Sequence, residues 1–257
     1  MHIKSIRVYA KAININPNDA AAHNNLGLIY LKSGKHKEAI KHYMKALKLQ
    51  PNDAMAYYSL GFTYYSLGKY KEAIKYYMQG QKVKAELLIK GLIYYSTGDA
   101  FFNLYKDKEA IEFYKKAIRV TPFCAPALFD KLGFACFSLG EYKEAIKFFR
   151  KTLKLNPDRG EIYFYLGMSY GQLVKRVELV KSDKLFIKYQ PKSYIKMAIE
   201  CYKEAIRLKP DYADAYYLLG LQHGLSNKEK ISAFKKVIKL KPDFTDAYFY
   251  LGQAYES

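Results

Sequence analysis

The feature that most constrains this chain is a stretch of sequence that returns along almost its whole length. Residues 26–51 read LGLIYLKSGKHKEAIKHYMKALKLQP, and residues 60–85, 34 positions later, read LGFTYYSLGKYKEAIKYYMQGQKVKA. Stacked architectures use such repetition, whereas a single catalytic centre gains nothing from it. The sequence therefore predicts a tandem repeat. One glycine marks every copy, at positions 27, 61, 98, 133, 167, 220 and 252.

Each copy has the pattern of two helices joined by a tight turn. The first helix has apolar residues at helical spacing and ends at a glycine such as Gly68, and the second ends before a proline such as Pro157. Where two helices cross closely, only Gly or Ala fits between them, and a ring fills the wider space beside the crossing. The residues with this pattern are Ala39, Ala73, Ala110 and Ala145 after the glycines, followed by Tyr43, Tyr77, Tyr114 and Phe149.

This pattern resembles the tetratricopeptide repeat family. In the first full copy the resemblance is carried by Leu26, Gly27, Tyr30, Gly34, Glu38, Ala39, Ile40, Tyr43, Lys45 and Ala46. It implies an all-α fold, a right-handed superhelical solenoid of antiparallel helix pairs, and we expect one solenoid over residues 1–257. Its parts are a half repeat at 1–17, full repeats at about 18–51, 54–85, 91–122, 125–157, 159–210 and 213–242, and a half repeat at 245–257.

The two half repeats are complementary: the first matches only a second helix, and the last matches only a first helix. This predicts either an excerpt of a longer array or end-to-end contact between molecules that completes a repeat.

The fifth repeat carries an insertion at residues 171–197, which is rich in basic residues. An insertion in one repeat projects from one face, so this segment is either a recognition element or a solvated loop. Its cationic residues include Lys175, Arg176, Lys181, Lys184, Lys188 and Lys192.

The net charge is +19, from 43 Lys and Arg against 24 Asp and Glu. Such an excess favours either a soluble lysine-rich surface or binding to nucleic acid or another anionic surface. The three cysteines lack CxxC spacing, and the N-terminus lacks the apolar run of a secretory signal. We therefore expect a reducing, cytoplasmic compartment.

No combination of residues has the spacing of a catalytic or metal site. The five histidines form no ligand cluster, the cysteines have no histidine placed nearby, and no glycine-rich phosphate loop occurs. We expect no enzymatic activity, no cofactor and no metal.

The resemblance implies that the first helix of each repeat lines a concave groove. The Lys and Asn residues with which some family members grip a peptide carboxylate are missing from the second and third repeats. Aromatic side chains stand at the groove positions instead, and so large an apolar surface is typical of a binding site. The candidate groove residues are Tyr58, Phe62, Tyr65, Tyr95, Phe102, Phe134, Phe137, Phe164, Tyr217 and Phe249.

These observations predict a scaffold for protein–protein interactions that binds a peptide or an amphipathic helix. Two alternatives stay open: binding to nucleic acid through the lysine-rich face and the insertion, and self-assembly through the half repeats. A third possibility is that the rings pack against one another as core.

Overall fold

The structure of the protein is a computed structural model. It describes the backbone of residues 2–179 and 191–256 and the side chains of residues 4–175 and 192–256. All regular structure in these ranges is helical. Contacts divide the chain into two compact units, Met1–Ala125 (unit 1) and Pro126–Ser257 (unit 2). The predicted all-α class of tandem helix pairs is confirmed, and the single continuous solenoid stays a prediction.

Unit 1 contains seven α-helices in three pairs preceded by a single helix. They are α1 (His2–Ile15), α2 (Ala20–Lys32), α3 (His36–Leu49), α4 (Ala54–Ser66), α5 (Tyr70–Lys82), α6 (Leu87–Asn103) and α7 (Asp107–Val120). A 3₁₀ turn, Pro122–Cys124, follows α7.

Unit 2 continues the same alternation. Its helices are α8 (Ala125–Ser138, which begins on the last residue of unit 1), α9 (Tyr142–Leu155), α10 (Gly160–Leu179), α11 (Pro191–Leu208), α12 (Ala213–Gly220), α13 (Asn227–Leu240) and α14 (Thr245–Glu256). Helices α10 and α11 include both ends of the insertion, and its middle lies outside the described residues.

Local sequence explains where the helices begin and turn. Asp53 caps α4 by accepting hydrogen bonds from the backbone N–H groups of Met55 and Ala56, at 2.9 and 3.0 Å. The turn from α4 to α5 passes through Gly68, whose φ of 71° is readily available only to glycine. At the equivalent turn of the next repeat a tyrosine, Tyr105, adopts φ 56°.

Each helix pair is closed by a ring that lies against the recurring glycine. A β-carbon on Gly61 would stand 2.6 Å from the Tyr77 ring and 3.2 Å from the carbonyl oxygen of Ala73. Tyr77 and Ala73 are fully buried. The glycine therefore makes room for the ring itself as well as for the backbone of the second helix.

Candidate functional site

The first helices α4 and α6 contact each other in unit 1, and each packs on its own second helix. The side of α4 and α6 that is left over from these contacts carries mostly apolar side chains. We call this surface the first-helix face of unit 1. It is formed by Met55, Tyr58, Phe62 and Tyr65 of α4 and by Leu92, Tyr95, Asp99 and Phe102 of α6.

This face is open to solvent. Phe62 is 40% exposed and Met55 is 38% exposed, whereas Leu60, between them on the buried side of the same helix, is fully covered. All the predicted groove residues of α4 and α6 are at least partly exposed. In unit 1 these rings are therefore accessible to a partner.

The rings of the face are supported from below by the second helices. Tyr58 lies 6.0 Å from the buried Tyr77 of α5, and Tyr95 lies 6.4 Å from Tyr114 of α7, measured between ring centroids. Tyr58 also stacks on Phe62 at 6.2 Å. This support fixes the position of the rings and leaves their outer sides uncovered.

Hydroxyl and carboxylate groups lie among these rings. The Tyr114 hydroxyl passes between the helices and donates a hydrogen bond of 2.7 Å to Oδ1 of Asp99. Burial raises the pKa of Tyr114, and the adjacent Asp99 charge raises it further. Asn103 Nδ2 donates to the Tyr65 hydroxyl at 3.0 Å, which links α6 to α4. The face is thus mainly apolar, with one carboxylate held among its rings.

The pKa values of two further tyrosines of unit 1 are raised as well. Burial raises the pKa of Tyr58 and Tyr77, and the Asp99 charge adds to both shifts. The Tyr77 hydroxyl is buried near Ser96, yet it reaches no partner at hydrogen-bonding geometry.

In unit 2 two of the equivalent rings pack against a tyrosine of the next first helix, and a third is buried. Phe134 and Phe137 of α8 are partly exposed, and each ring lies nearly perpendicular to that of Tyr165 of α10, with centroids 4.8 and 5.4 Å apart. Phe164, predicted as a groove residue, is instead 8% exposed, and its ring lies 4.7 Å from that of Tyr212. Its ring belongs to the core, because the turn before α12 covers it.

The last two candidate residues of unit 2 differ from each other in exposure. Tyr217 is half-buried, 4.9 Å from Phe244, and its hydroxyl lies 3.5 Å from Asp246. Phe249, on α14, is 61% exposed.

Of the basic residues of the insertion, Lys175 and Lys192 are exposed. The side chains of Arg176, Lys181, Lys184 and Lys188 lie outside the described residues. The proposed role of this segment stays a prediction.

A histidine pair on α2 and α3 was not expected from the sequence. The Nδ1 atoms of His23 and His42 lie 3.0 Å apart, so one of them must donate a hydrogen bond to the other. Burial lowers the pKa of His42, and the charges of His23 and Lys41 lower it further. The repeat pattern contained a signal for this contact, because the same two repeat positions hold Phe129 and Phe148 in the fourth repeat, and those rings also pack together.

The described residues also bear on metal binding and on membrane insertion. No group of three or more His, Cys, Asp or Glu side chains there is arranged to hold a metal ion. No helix in residues 2–179 and 191–256 combines the length and apolar character needed to cross a membrane.

Sequence models of one repeat family match most of the chain. A model described as TPR repeat matches residues 4–34, 27–68 and 195–225. One model described as tetratricopeptide repeat matches residues 54–85 and 131–159, and a second matches residues 90–124. No curated protein sequence matches the chain.

Solved structures share the fold. The C-terminal part of a TPR repeat-containing protein from Cytophaga hutchinsonii has a TM-score of 0.73 at 19% identity, covering 97% of this chain and 94% of its own. YrrB, described as a TPR protein with an unusual peptide-binding site, has a TM-score of 0.67 at 23% identity, covering 83% and 98%. MamA protein has a TM-score of 0.57 at 26% identity, covering 74% and 95%.

Proposed function

The chain belongs to the tetratricopeptide repeat family, and we propose that it is a non-enzymatic scaffold whose first-helix face in unit 1 binds a peptide segment as an amphipathic helix. Proteins of this family generally mediate protein–protein interactions. To this general role we add the surface that binds, the helical form of the bound peptide and the residues that contact the peptide.

The observation that carries the proposal is the exposure of Phe62 and Met55 beside half-buried tyrosines on α4 and α6. Aromatic residues and methionine dominate the energetics of protein interfaces, because they bury large areas with few rotatable bonds. Each ring contributes about 1.5–3 kcal/mol when it is fully buried. Several anchors are needed, since association itself costs at least about 4 kcal/mol.

The buried support beneath the rings favours a preorganised site. Tyr77 and Tyr114 hold Tyr58 and Tyr95 from behind, so little conformational entropy is lost when a partner covers them. In unit 2, Phe134 and Phe137 are partly exposed but pack on Tyr165, and Phe164 is buried, which leaves fewer open rings for a ligand. We therefore assign the main binding surface to unit 1.

The likeness to YrrB supports the fold, and its peptide-binding site is a property of that protein. At 23% identity the likeness shows the fold alone, so the assignment of a binding surface depends on the residues of this chain. Met55, Phe62 and Phe102 are at least partly exposed, and the rings that close the helix pairs are other residues, such as Tyr77 and Tyr114. Their exposure is therefore what supports the assignment.

The test is selection of peptides of about 16 residues from a phage-displayed library on the immobilised protein, long enough for about four helical turns. We expect enriched sequences with apolar residues at helical spacing. The variant Tyr58→Ala/Phe62→Ala/Tyr65→Ala should lose this enrichment while circular dichroism shows unchanged helicity.

The matched control is Met44→Ala/Met78→Ala. These two methionines are 50% and 45% exposed but lie on the second helices α3 and α5. The control should enrich the same peptides as the unchanged protein. Equal enrichment on the triple variant would remove the first-helix face from the proposal.

A second candidate function is self-association between α14 and the α1 helix of another copy. A β-carbon on Gly252 would meet nothing within 4 Å, whereas the equivalent Gly220 lies against the Phe234 ring. Phe249 and Tyr255 on the same helix are 61% and 59% exposed. The open surface of α14 thus has the form of the first half of a helix pair.

Charge favours α1 as the partner of α14. Helix α14 has the acidic residues Asp246 and Glu256 and no basic residue, while α1 has Lys4, Arg7 and Lys11 and no acidic residue. Light scattering at increasing concentration tests this: growing particles support it, and a constant monomer mass contradicts it.

Binding to nucleic acid is the third candidate, and the exposed lysines of the second helices, such as Lys37 and Lys41, are what favours it. Affinity for a DNA or RNA oligonucleotide should then fall steeply with salt, because each phosphate contact releases counterions. Peptide binding to the apolar face should change little over the same salt range.

A further inference from the structure

A cleft in unit 2 combines exposed positive charge with an apolar floor. It lies between the second helix α9 and the first helix α10 and has a volume of about 540 Å³. Ligand sites commonly have volumes of roughly 300–1,000 Å³. The three cationic residues that line it are exposed, whereas Leu166 is buried. We call it the α9–α10 cleft, and its lining residues are Arg150, Lys151, Leu153, Lys154, Tyr163 and Leu166.

Within the described residues, the three cations of the α9–α10 cleft have no acidic partner at ion-pair distance. The cations at the equivalent positions of α11, by contrast, are paired. Lys203 Nζ lies 3.2 Å from Oε1 of Glu229, and Arg207 Nε lies 2.9 Å from Oε2 of Glu204. The positive charge of the cleft is therefore available to an anionic ligand.

The sequence of α9 explains this lack of partners. The repeat position that holds Glu112 on α7 holds Lys147 on α9, and the position that holds Glu204 on α11 holds Lys151. Helix α9 consequently has five basic residues and a single acidic one, Glu144, which pairs with Lys147 at 3.3 Å. The basic residues follow one side of the helix over about 16 Å, because they recur at steps of three and four positions. They are Lys143, Lys147, Arg150, Lys151 and Lys154.

Tyr163 adds an aromatic ring beside this row of charges. The ring is half-buried, and no other aromatic ring packs against it in the part of the chain that the structure describes. Burial raises the pKa of Tyr163, and the charge of Glu204 raises it further, but Glu204 is already paired with Arg207. The Lys151 ammonium lies 5.0 Å from the ring centroid of Phe129, a cation–π contact that holds this charge in place. The cleft thus presents a stacking surface next to anchored cations.

We propose that the α9–α10 cleft binds single-stranded nucleic acid, with phosphate groups on Arg150 and Lys154 and a base stacked on Tyr163. Basic side chains that neutralise phosphates and aromatic rings that stack on bases are the two parts of sequence-tolerant single-strand sites. The inference goes beyond the peptide-binding role, which concerns unit 1, and gives the third candidate function a definite site.

The shape and the composition of the cleft favour a single strand over other anions. A row of cations about 16 Å long suits an extended polyanion better than one compact anion. An acidic peptide could pair with the cations but has no base to stack on Tyr163. A duplex keeps its bases paired and stacked inside, so only a single strand uses the charges and the ring together.

The experiment measures the fluorescence anisotropy of a labelled poly(dT) strand of about 12 nucleotides, within the size of single-strand sites, roughly 4–16 nucleotides. The competitors are a duplex of the same length and an oligoglutamate peptide of equal charge. We expect the single strand to bind at least about fivefold more tightly than either competitor, because one stacked base contributes at least that factor.

The charge contacts are tested with Arg150→Gln/Lys154→Gln. This variant should weaken binding of the strand about tenfold and make the slope of log affinity against log salt shallower by about 1.4, since each phosphate contact to a single strand contributes about 0.7. The matched control, Lys37→Gln/Lys41→Gln, removes the same charge from exposed positions of α3 and should leave the affinity unchanged.

The stacking contact is tested with Tyr163→Leu, which should weaken binding about fivefold without changing the salt slope. Tyr163→Phe keeps the ring and should bind like the unchanged protein. Circular dichroism checks the helicity of each variant. Where Tyr163→Leu lowers helicity, the comparison of Arg150→Gln/Lys154→Gln with its control decides the question alone.

Equal affinity for the strand and for either competitor would overturn this inference, as would an Arg150→Gln/Lys154→Gln variant that binds as tightly as the control. If only the control lost affinity, nucleic-acid binding would remain a candidate function on another surface. If no strand bound at all, both the inference and the third candidate would be removed, and the peptide-binding proposal for unit 1 would stand.

Discussion

The ring of Tyr77 lies on the backbone of Gly61, so closely that a β-carbon on the glycine would be 2.6 Å from two ring carbons. The ring is fully buried, so any shift that makes room for the β-carbon must move its packed neighbours. We predict that Gly61→Ala lowers the free energy of unfolding by about 1–3 kcal/mol, the usual cost of overpacking a core. Urea denaturation followed by circular dichroism measures this change.

The control for this substitution is Gly252→Ala. Its β-carbon would meet nothing within 4 Å, in the interior of α14. Alanine should there stabilise the helix by about 0.5–1 kcal/mol, because glycine loses more backbone entropy on folding. If both alanine variants shifted stability in the same direction, the contact between Tyr77 and Gly61 would not be the cause.

The turn between α6 and α7 stores backbone strain at Tyr105. This residue adopts φ 56° where Gly34, Gly68 and Gly140 occupy the equivalent turns, and it is 92% exposed. Tyr105→Gly should raise the free energy of unfolding by about 1 kcal/mol, since a left-handed conformation costs other residues about 1–2 kcal/mol and few contacts are lost. Thermal unfolding measures the gain, and Gly68→Ala at the equivalent turn should show a loss.

The histidine pair predicts acid sensitivity. The pKa of His42 is lowered from 6.5 in the folded protein, so the unfolded chain binds more protons as pH falls below 6.5. The free energy of unfolding should therefore decrease as pH drops from about 6.5 towards the lowered folded pKa. Above about pH 6.5 the contribution of His42 should stay constant. Melting temperatures between pH 7.5 and 5 provide the measurement.

The variant His23→Tyr/His42→Phe should remove most of this decrease. It places at the first repeat the ring types that pack as Tyr94 and Phe113 in the third, 6.3 Å apart. His223→Gln removes an exposed histidine elsewhere and should keep the acid sensitivity of the unchanged protein. An undiminished decrease in the double variant would assign the effect to other groups.

The cysteines should differ in reactivity. Burial raises the pKa of Cys201 to about 12, whereas Cys124 is only partly buried. Because the thiolate is the reactive form, a thiol reagent at pH 8 should modify Cys124 first and Cys201 only on unfolding. Mass spectrometry of the native protein over time checks the order, and Cys124→Ser should remove the fast reaction.

The sequence by itself determined the helix pairs, because the period, the glycines and the capping aspartates act locally or between helices adjacent in the chain. Asp53 caps α4 from one residue away, and Tyr77 meets Gly61 across a single turn. Such contacts depend on spacing, which a sequence displays directly. The family resemblance, and the candidate residues of unit 1, could be read from the same pattern.

Only the tertiary structure decided which rings remain open. Tyr58 and Phe164 hold the same repeat position, yet Tyr58 belongs to a partly exposed face and Phe164 is buried against Tyr212. Their difference comes from residues of other helices and turns, whose packing depends on side-chain volume and direction. The same holds for the 3.0 Å contact of His23 with His42 and for the carboxylate of Asp99 among tyrosines, since spacing alone does not state which groups meet.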